Sequence, residues 1–224
     1  MYLIKEDNIV NSKYKTLQQL TDSKVIAVIR GQSAEEAIGI TEAAVSGGIR
    51  AIELTYTTPQ VADVFTALRS SDADVLLGAG TVLDAETARQ AILSGASFVV
   101  SPHFNPEIAT MCNRYTIPYL PGCMTIKEMV TALEYGCDII KLFPAGSFEP
   151  SFIGAVKGPI PHVQIMPTGG INQANFKDWL EAGAVAVGIG SDLNKAYAKG
   201  GHNGVVEVCQ SYMTGLSKAS GAGR

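Results

Sequence analysis

The chain of 224 residues is 46% hydrophobic and 17% charged, and its 17 basic against 21 acidic side chains leave a net charge of −4. That is the balance of an ordinary globular protein, with no basic field or local Lys/Arg cluster to hold nucleic acid or an anionic membrane. The length suffices for one large core, and a single domain over residues 1–224 is expected.

From the N-terminus, Met1 to Val10 mixes Lys5, Glu6 and Asp7 into its few apolar residues and lacks the apolar stretch of a secretory signal, so the expected location is the cytoplasm. Tyr14 to Asp22 has the pattern of a short leading helix. Beyond it, short β-rich apolar runs begin near Val25, Arg50, Val75, Phe98, Pro118, Ile139, Val163 and Ala184, at intervals of twenty-odd residues. None approaches the ~20 apolar residues of a membrane span. Between them, apolar residues recur at i, i+3 and i+4, which predicts helices over Ala34–Ser46, Pro59–Ser70, Ala85–Ser94, Thr125–Tyr135 and Gln173–Ala182. Ser33, Asp84 and Asn172 stand as N-caps, and Gly47-Gly48, Gly95, Gly136 and Gly183 as helix exits. Gly204 to Leu216 reads as a closing helix, and the small, polar Ser217–Arg224 as a frayed tail.

Alternation of strand and helix demands a parallel sheet, because each helix is the crossover between neighbouring parallel strands. Eight such units predict a (β/α)8 TIM barrel over about residues 24–216, capped at its bottom by the short N-terminal helix; such barrels take about 200–250 residues. The competing open, doubly wound sheet announces itself with G-x-G-x-x-G after its first strand, where Ile29-Arg30-Gly31-Gln32-Ser33 stands instead. Cys112, Cys123, Cys137 and Cys209 include no C-x-x-C pair and read as free thiols. His103, His162 and His202 are dispersed, so no metal is expected.

A barrel of this kind builds its active site at the C-terminal ends of the strands. Those ends are polar here, and Arg30, Glu53 and Lys141 are embedded in otherwise apolar runs. Lys141 lies within Ile139-Ile140-Lys141-Leu142-Phe143, on a strand expected to be buried on both faces. Burying an ammonium is costly unless it is paired or gives up its proton. One reading is a core ion pair with Glu53 that only stabilises the fold. The other is a desolvated amine that attacks a carbonyl and forms a Schiff base, with Glu53 of Ala51-Ile52-Glu53-Leu54 shuttling the protons. Gly169-Gly170 and Gly188-Ile189-Gly190-Ser191 follow the seventh and eighth strands, where backbone N–H groups can cradle an anion at helix N-termini. Ordinary turns are their alternative reading.

Ile52-Glu53-Leu54-Thr55, Gly78-Ala79-Gly80-Thr81-Val82, Ser101-Pro102, Ile117-Pro118 with Pro121-Gly122, Lys141-Leu142-Phe143-Pro144-Ala145 and Pro167-Thr168-Gly169-Gly170 together resemble the 2-keto-3-deoxy-6-phosphogluconate (KDPG) / 4-hydroxy-2-oxoglutarate (KHG) aldolase family, from about Lys24 to Leu193. The resemblance implies Lys141 as the Schiff-base lysine and Glu53 as the acid/base, with Thr81, Pro102, Phe143 and Thr168 lining the substrate pocket. Gly169, Gly170, Gly188, Gly190 and Ser191 would hold the phosphate. Many members carry an arginine four residues after the glutamate, where this chain has Thr57; another branch ends its first strand in arginine, as Arg30 does, and the carboxylate-binding role moves to Arg30. The implied activity is cleavage of KDPG to pyruvate and glyceraldehyde 3-phosphate within the Entner–Doudoroff pathway, extending to KHG, by a homotrimer without cofactor. The alternatives are an aldolase for the C4 epimer, 2-keto-3-deoxy-6-phosphogalactonate, which Thr168 disfavours; an isomerase that forms no imine; and a sugar-phosphate sensor.

Overall fold

A computed structural model describes residues 12–70 and 75–221, with side chains through residue 217. The expectation for Met1 to Val10 and the last three residues of the tail lie outside the described residues. Helix α1 (Ser12–Ser23) is followed by alternating β1 (Val25–Ile29), α2 (Ala34–Ser46), β2 (Ala51–Thr55), α3 (Val61–Arg69), β3 (Leu76–Gly80), α4 (Ala85–Ser94), β4 (Val99–Val100) and α5 (Pro106–Arg114). Two short strands, β5 (Tyr119–Leu120) and β6 (Gly122–Cys123), lead into α6 (Ile126–Glu134), β7 (Ile139–Leu142), α7 (Ser151–Lys157), β8 (Gln164–Pro167), α8 (Phe176–Glu181), β9 (Val187–Ile189) and α9 (Ser191–Gly221).

Local chemistry explains the boundaries. Ser33 and Asp84 accept the N–H of Glu36 and Thr87, so α2 and α4 begin at the residues the caps predict. Asn172 instead accepts from the N–H of Ala174 in a turn of its own. That delays α8 to Phe176, three residues beyond the expected start.

All strand pairs are parallel, in a six-stranded piece ordered β5-β4-β3-β2-β1-β9 and a three-stranded piece ordered β6-β7-β8. The fold is thus α/β with a curled parallel sheet. One expected strand is divided at Pro121, which has no N–H for the ladder. Its carbonyl still accepts from Lys141 N at 2.9 Å, and Gly122 N donates to Ser101 O at 2.9 Å. At the other end, Val185 N donates to Ile165 O at 3.0 Å, and Thr168 pairs in parallel with Gly188.

Because strand side chains alternate, each strand feeds two cores. Ile26, Ala51, Phe98, Val100, Leu120, Ile139, Met166 and Ala186 meet on the concave face, plugged by Leu20 of α1. Ala27, Ile29, Ile52, Leu54, Ala79, Val99, Ile140 and Leu142 face outward beneath the helices.

The closing helix expected over Gly204–Leu216 is present and runs on through Gly221, into the segment expected to fray, and α9 also includes an unexpected first part that begins at Ser191. A straight helix would separate residues 192 and 212 by about 30 Å, yet Tyr212 Oη lies 2.7 Å from Asp192 Oδ2. The chain reverses at Gly201, whose φ of 57° and ψ of −144° suit glycine almost alone. A Cβ at either Gly200 or Gly201 would meet open space, so substitution there isolates backbone conformation. Gly201→Ala should destabilise by about 1–3 kcal/mol, whereas Gly200→Ala should be neutral or stabilise by up to about 1 kcal/mol. Paired thermal melts check this.

Candidate active site

The level of the concave face just beyond the apolar plug holds two buried charged side chains, Glu53 and Lys141. Val28, Glu53 and Gly78 stand in register across β1, β2 and β3, and Lys141 lies opposite on β7 between Gly122 and Met166. Lys141 Nζ is 3.3 Å from Glu53 Oε1 and 5.1 Å from the centre of the Phe143 ring. Both partners are buried, Glu53 at 0% and Lys141 at 5% exposure, so solvent screens this pair little. A Cβ on Gly80 would collide with the Glu53 carboxylate, which explains why the β3 end carries no side chain there.

The pair sits in the wall of a cavity of about 370 Å³, the size of a small-metabolite site. The same cavity is lined by Thr81, Pro102, Phe143 and Thr168, by Gly169, Gly170, Gly188, Gly190 and Ser191, and by Arg30. All the candidates singled out in the sequence therefore come together. Val28, Ile171 and Asn194 complete the wall and were not anticipated. Asn194 had a legible signal: it follows Ser191 by three residues, hence on the same helix face.

Two buried oxygens in this wall, Glu53 Oε2 and Thr168 Oγ1, have no hydrogen-bond partner. An unpaired buried oxygen is expensive, and both belong to residues that line the cavity. Thr168 fits only because Gly188 lacks a Cβ, which would overlap its hydroxyl. Thr81 holds a φ of 55°, a strained value for a β-branched residue and one of the kind that gathers at functional sites. Behind Pro102, the buried Tyr119 hydroxyl bonds Ser101 Oγ, accepts from Asn105 N and donates to His103 O, fixing the β4 end. Burial pushes that phenol's pKa up and keeps it a donor.

At the far side, Gly190 accepts from the N–H of Leu193 at 3.0 Å and of Asn194 at 3.2 Å. The preceding N–H groups, of Ser191 and Asp192, have no acceptor within the helix. Gly169 and Gly170 both adopt positive φ, 84° and 87°, and Asn175 Nδ2 holds Gly170 O at 3.0 Å. Arg30 is exposed at the end of β1, its carbonyl held by Asn194 Nδ2 at 2.7 Å. Among the described residues no ion pair engages its guanidinium. Thr57 is exposed, outside the cavity wall, and bonds Thr55 Oγ1 at 3.0 Å.

The cysteines do not compete as nucleophiles. All four are buried free thiols, and burial pushes each pKa up to about 12. Among the described residues no His/Cys/Asp/Glu cluster could hold a metal, and no helix is long and apolar enough to cross a membrane. A thiol-reactive dye at pH 8 should leave the native protein unlabelled and modify all four cysteines on unfolding; fast native labelling would contradict the burial.

A buried amine beside a carboxylate, in a cavity at the C-terminal ends of parallel strands, is the layout of an enzyme that works on carbonyl compounds. The family model described as KDPG and KHG aldolase matches residues 17–208, and the chain belongs to that family of lyases. It is 40% identical over 158 residues to the 2-dehydro-3-deoxy-phosphogluconate aldolase of Treponema pallidum, covering 70% of this chain and 75% of that protein. The 2-dehydro-3-deoxy-6-phosphogalactonate aldolase of Escherichia coli is 33% identical over 182 residues, covering 80% and 89%. The KDPG aldolase of Legionella pneumophila, solved with pyruvate captured at low pH as a covalent carbinolamine intermediate, superposes with a TM-score of 0.78 at 30% identity, covering 88% of this chain and 97% of that one.

Proposed function

We propose that this chain is a class I aldolase that cleaves KDPG to pyruvate and glyceraldehyde 3-phosphate, and KHG to pyruvate and glyoxylate. The observation that carries the reading is the buried Lys141–Glu53 pair at 3.3 Å, with the second Glu53 oxygen unpartnered in the cavity wall. A pair serving only stability would be matched by apolar side chains of the same volume. It would also not be built into an open cavity beside a second orphan oxygen.

In this scheme Lys141 passes a proton to Glu53, the freed Nζ attacks the C2 ketone to form a carbinolamine, and Glu53 gives that proton to the departing hydroxyl, which leaves as water and leaves an iminium. Glu53 then takes the C4 hydroxyl proton as the C3–C4 bond breaks. The bonding electrons flow into the iminium, so the reaction needs no other electron sink. Protonation of the resulting enamine at C3 and hydrolysis release pyruvate and return the amine. Phe143, Pro102 and Thr81 enclose the pyruvyl end. The unspent N–H groups of Ser191 and Asp192, with the glycines, cradle the phosphate. The threonine of Pro167-Thr168-Gly169-Gly170, which the resemblance associates with the gluconate branch, supports the gluconate over the galactonate epimer.

The hydrogen bonds that link Ile165 to Val185 and Pro121 to Lys141 support reading the two sheet pieces as one closed (β/α)8 barrel in a single domain. The exposed apolar stripe of Ile126 and Val130 on α6, beside Met124, supports association with further copies of the chain, the homotrimer that the family resemblance implies. On the same reading the protein serves the Entner–Doudoroff pathway in the cytoplasm.

Borohydride added with pyruvate should label Lys141 alone on peptide mapping, and Lys141→Ala should abolish both label and turnover. Label on another lysine would sink the mechanism.

Arg30→Met should raise KM for pyruvate and KDPG by at least about tenfold, the effect of losing a charge-assisted hydrogen bond. The melting temperature should stay put, since the side chain is exposed. A KM change confined to the phosphorylated substrate would move Arg30 to the phosphate end, beside Ser191 and Asn194.

A further inference from the structure

Ser191 and Asn194 line the cavity, whereas Asp192 between them does not. Its absence from the wall has a cause. A carboxylate in the first turn of a helix is attracted to the positive end of the helix dipole and to the unspent N–H groups there. Those are the groups an anion would use in this cavity. Here the carboxylate is drawn away. Tyr212 Oη donates to Asp192 Oδ2 at 2.7 Å, across the reversal at Gly201. The Tyr212 side chain is fully buried, and its ring packs edge-on against Phe176 at 4.9 Å and 69°, so the hydroxyl is held in place by the core.

We infer that Tyr212 is a positioning residue for the anion cradle: its hydroxyl holds the Asp192 carboxylate off the first turn of α9, leaving the Ser191 and Asp192 amides open to the phosphate of the substrate. The inference rests on the aldolase reading and deepens it. A hydrogen bond to an ionised acceptor is among the stronger kinds available to a protein, strong enough to compete with the amides for the carboxylate. Released, the carboxylate would both occupy the amides and repel the incoming phosphate. The reversal of α9 then has a purpose beyond closing the fold, because it returns a core-anchored phenol to the turn that carries the cradle.

The experiment compares wild type, Tyr212→Phe, Asp192→Ala and the double variant Tyr212→Phe/Asp192→Ala. Inorganic phosphate binding is followed by calorimetric titration, KM for KDPG by pyruvate release, and the Lys141 imine by borohydride trapping with pyruvate. Tyr212→Phe should weaken phosphate binding and raise the KM for KDPG about tenfold, with pyruvate trapping unchanged. Removing the charge in the double variant should restore both, and Asp192→Ala should bind phosphate at least as well as wild type. A tether that merely joins the two halves of α9 predicts the reverse: no rescue in the double variant, and a loss in Asp192→Ala. Unchanged phosphate affinity in Tyr212→Phe, or equal losses in phosphate binding and pyruvate trapping, would overturn the inference. If Tyr212→Phe does not fold, Asp192→Ala still decides, since weaker phosphate binding there refutes it. Wild type that neither traps pyruvate nor binds phosphate would overturn the aldolase reading along with it, whereas wild type that does both beside a silent Tyr212→Phe overturns the positioning role alone.

Discussion

The contact between Lys141 and Glu53 joins β7 to β2 across the hollow of the curled sheet, 88 residues apart in the chain. Each group alone would be an uncompensated charge in the interior, and removing one partner of such a pair commonly costs about 3–5 kcal/mol. The surroundings are organised around that demand. Gly80 leaves the carboxylate its space, and the Phe143 ring offers its face to the ammonium. The apolar plug below, from Leu20 to Met166, closes the floor to water. A charged pair so placed adds little stability over an apolar replacement, and its chemistry is what distinguishes it.

Alternation along the strands turns this single requirement into a whole site. Residues two apart share a face, so β2 carries Ala51 into the plug and Glu53 into the cavity, and β7 does the same with Ile139 and Lys141. The opposite parity, Ile52 with Leu54 and Ile140 with Leu142, anchors the same strands under the helices. Floor, reacting groups and rim are thus successive layers of one face. The rim is completed by turns that need special backbones, at Thr81, Gly169 and Gly170, and by the start of α9.

Much of this is legible in the amino-acid sequence alone. Helices α2 and α4 fall where Ser33 and Asp84 place them, because cap and apolar period agree. Lysine and glutamate inside apolar strands pointed to the site, because a buried charged pair with no chemistry to do rarely adds stability over apolar residues. What escaped depended on tertiary context. The division of one strand at Pro121 follows from a missing donor whose consequence depends on neighbouring ladders. The polar stretch from Lys195 to Asn203 carries little apolar period and two glycines, so the helix that begins at Ser191 and the reversal after it were hidden, whereas the helix over Gly204–Leu216 was not. Asn194 and Tyr212 act through partners, Arg30 O and Asp192, that only the folded chain brings near.

The central claim is that one buried pair both forms the imine and removes water from its precursor. Nuclear magnetic resonance of pyruvate isotopically labelled at its keto carbon, bound to wild type, Glu53→Gln and Lys141→Ala, tests it directly. Wild type should show the signal of a protein-bound imine carbon. Glu53→Gln should instead accumulate the tetrahedral carbinolamine carbon, because the proton donor for dehydration is gone, and Lys141→Ala should show free pyruvate only. Imine formation in Glu53→Gln at the wild-type rate, or any covalent adduct in Lys141→Ala, would contradict it.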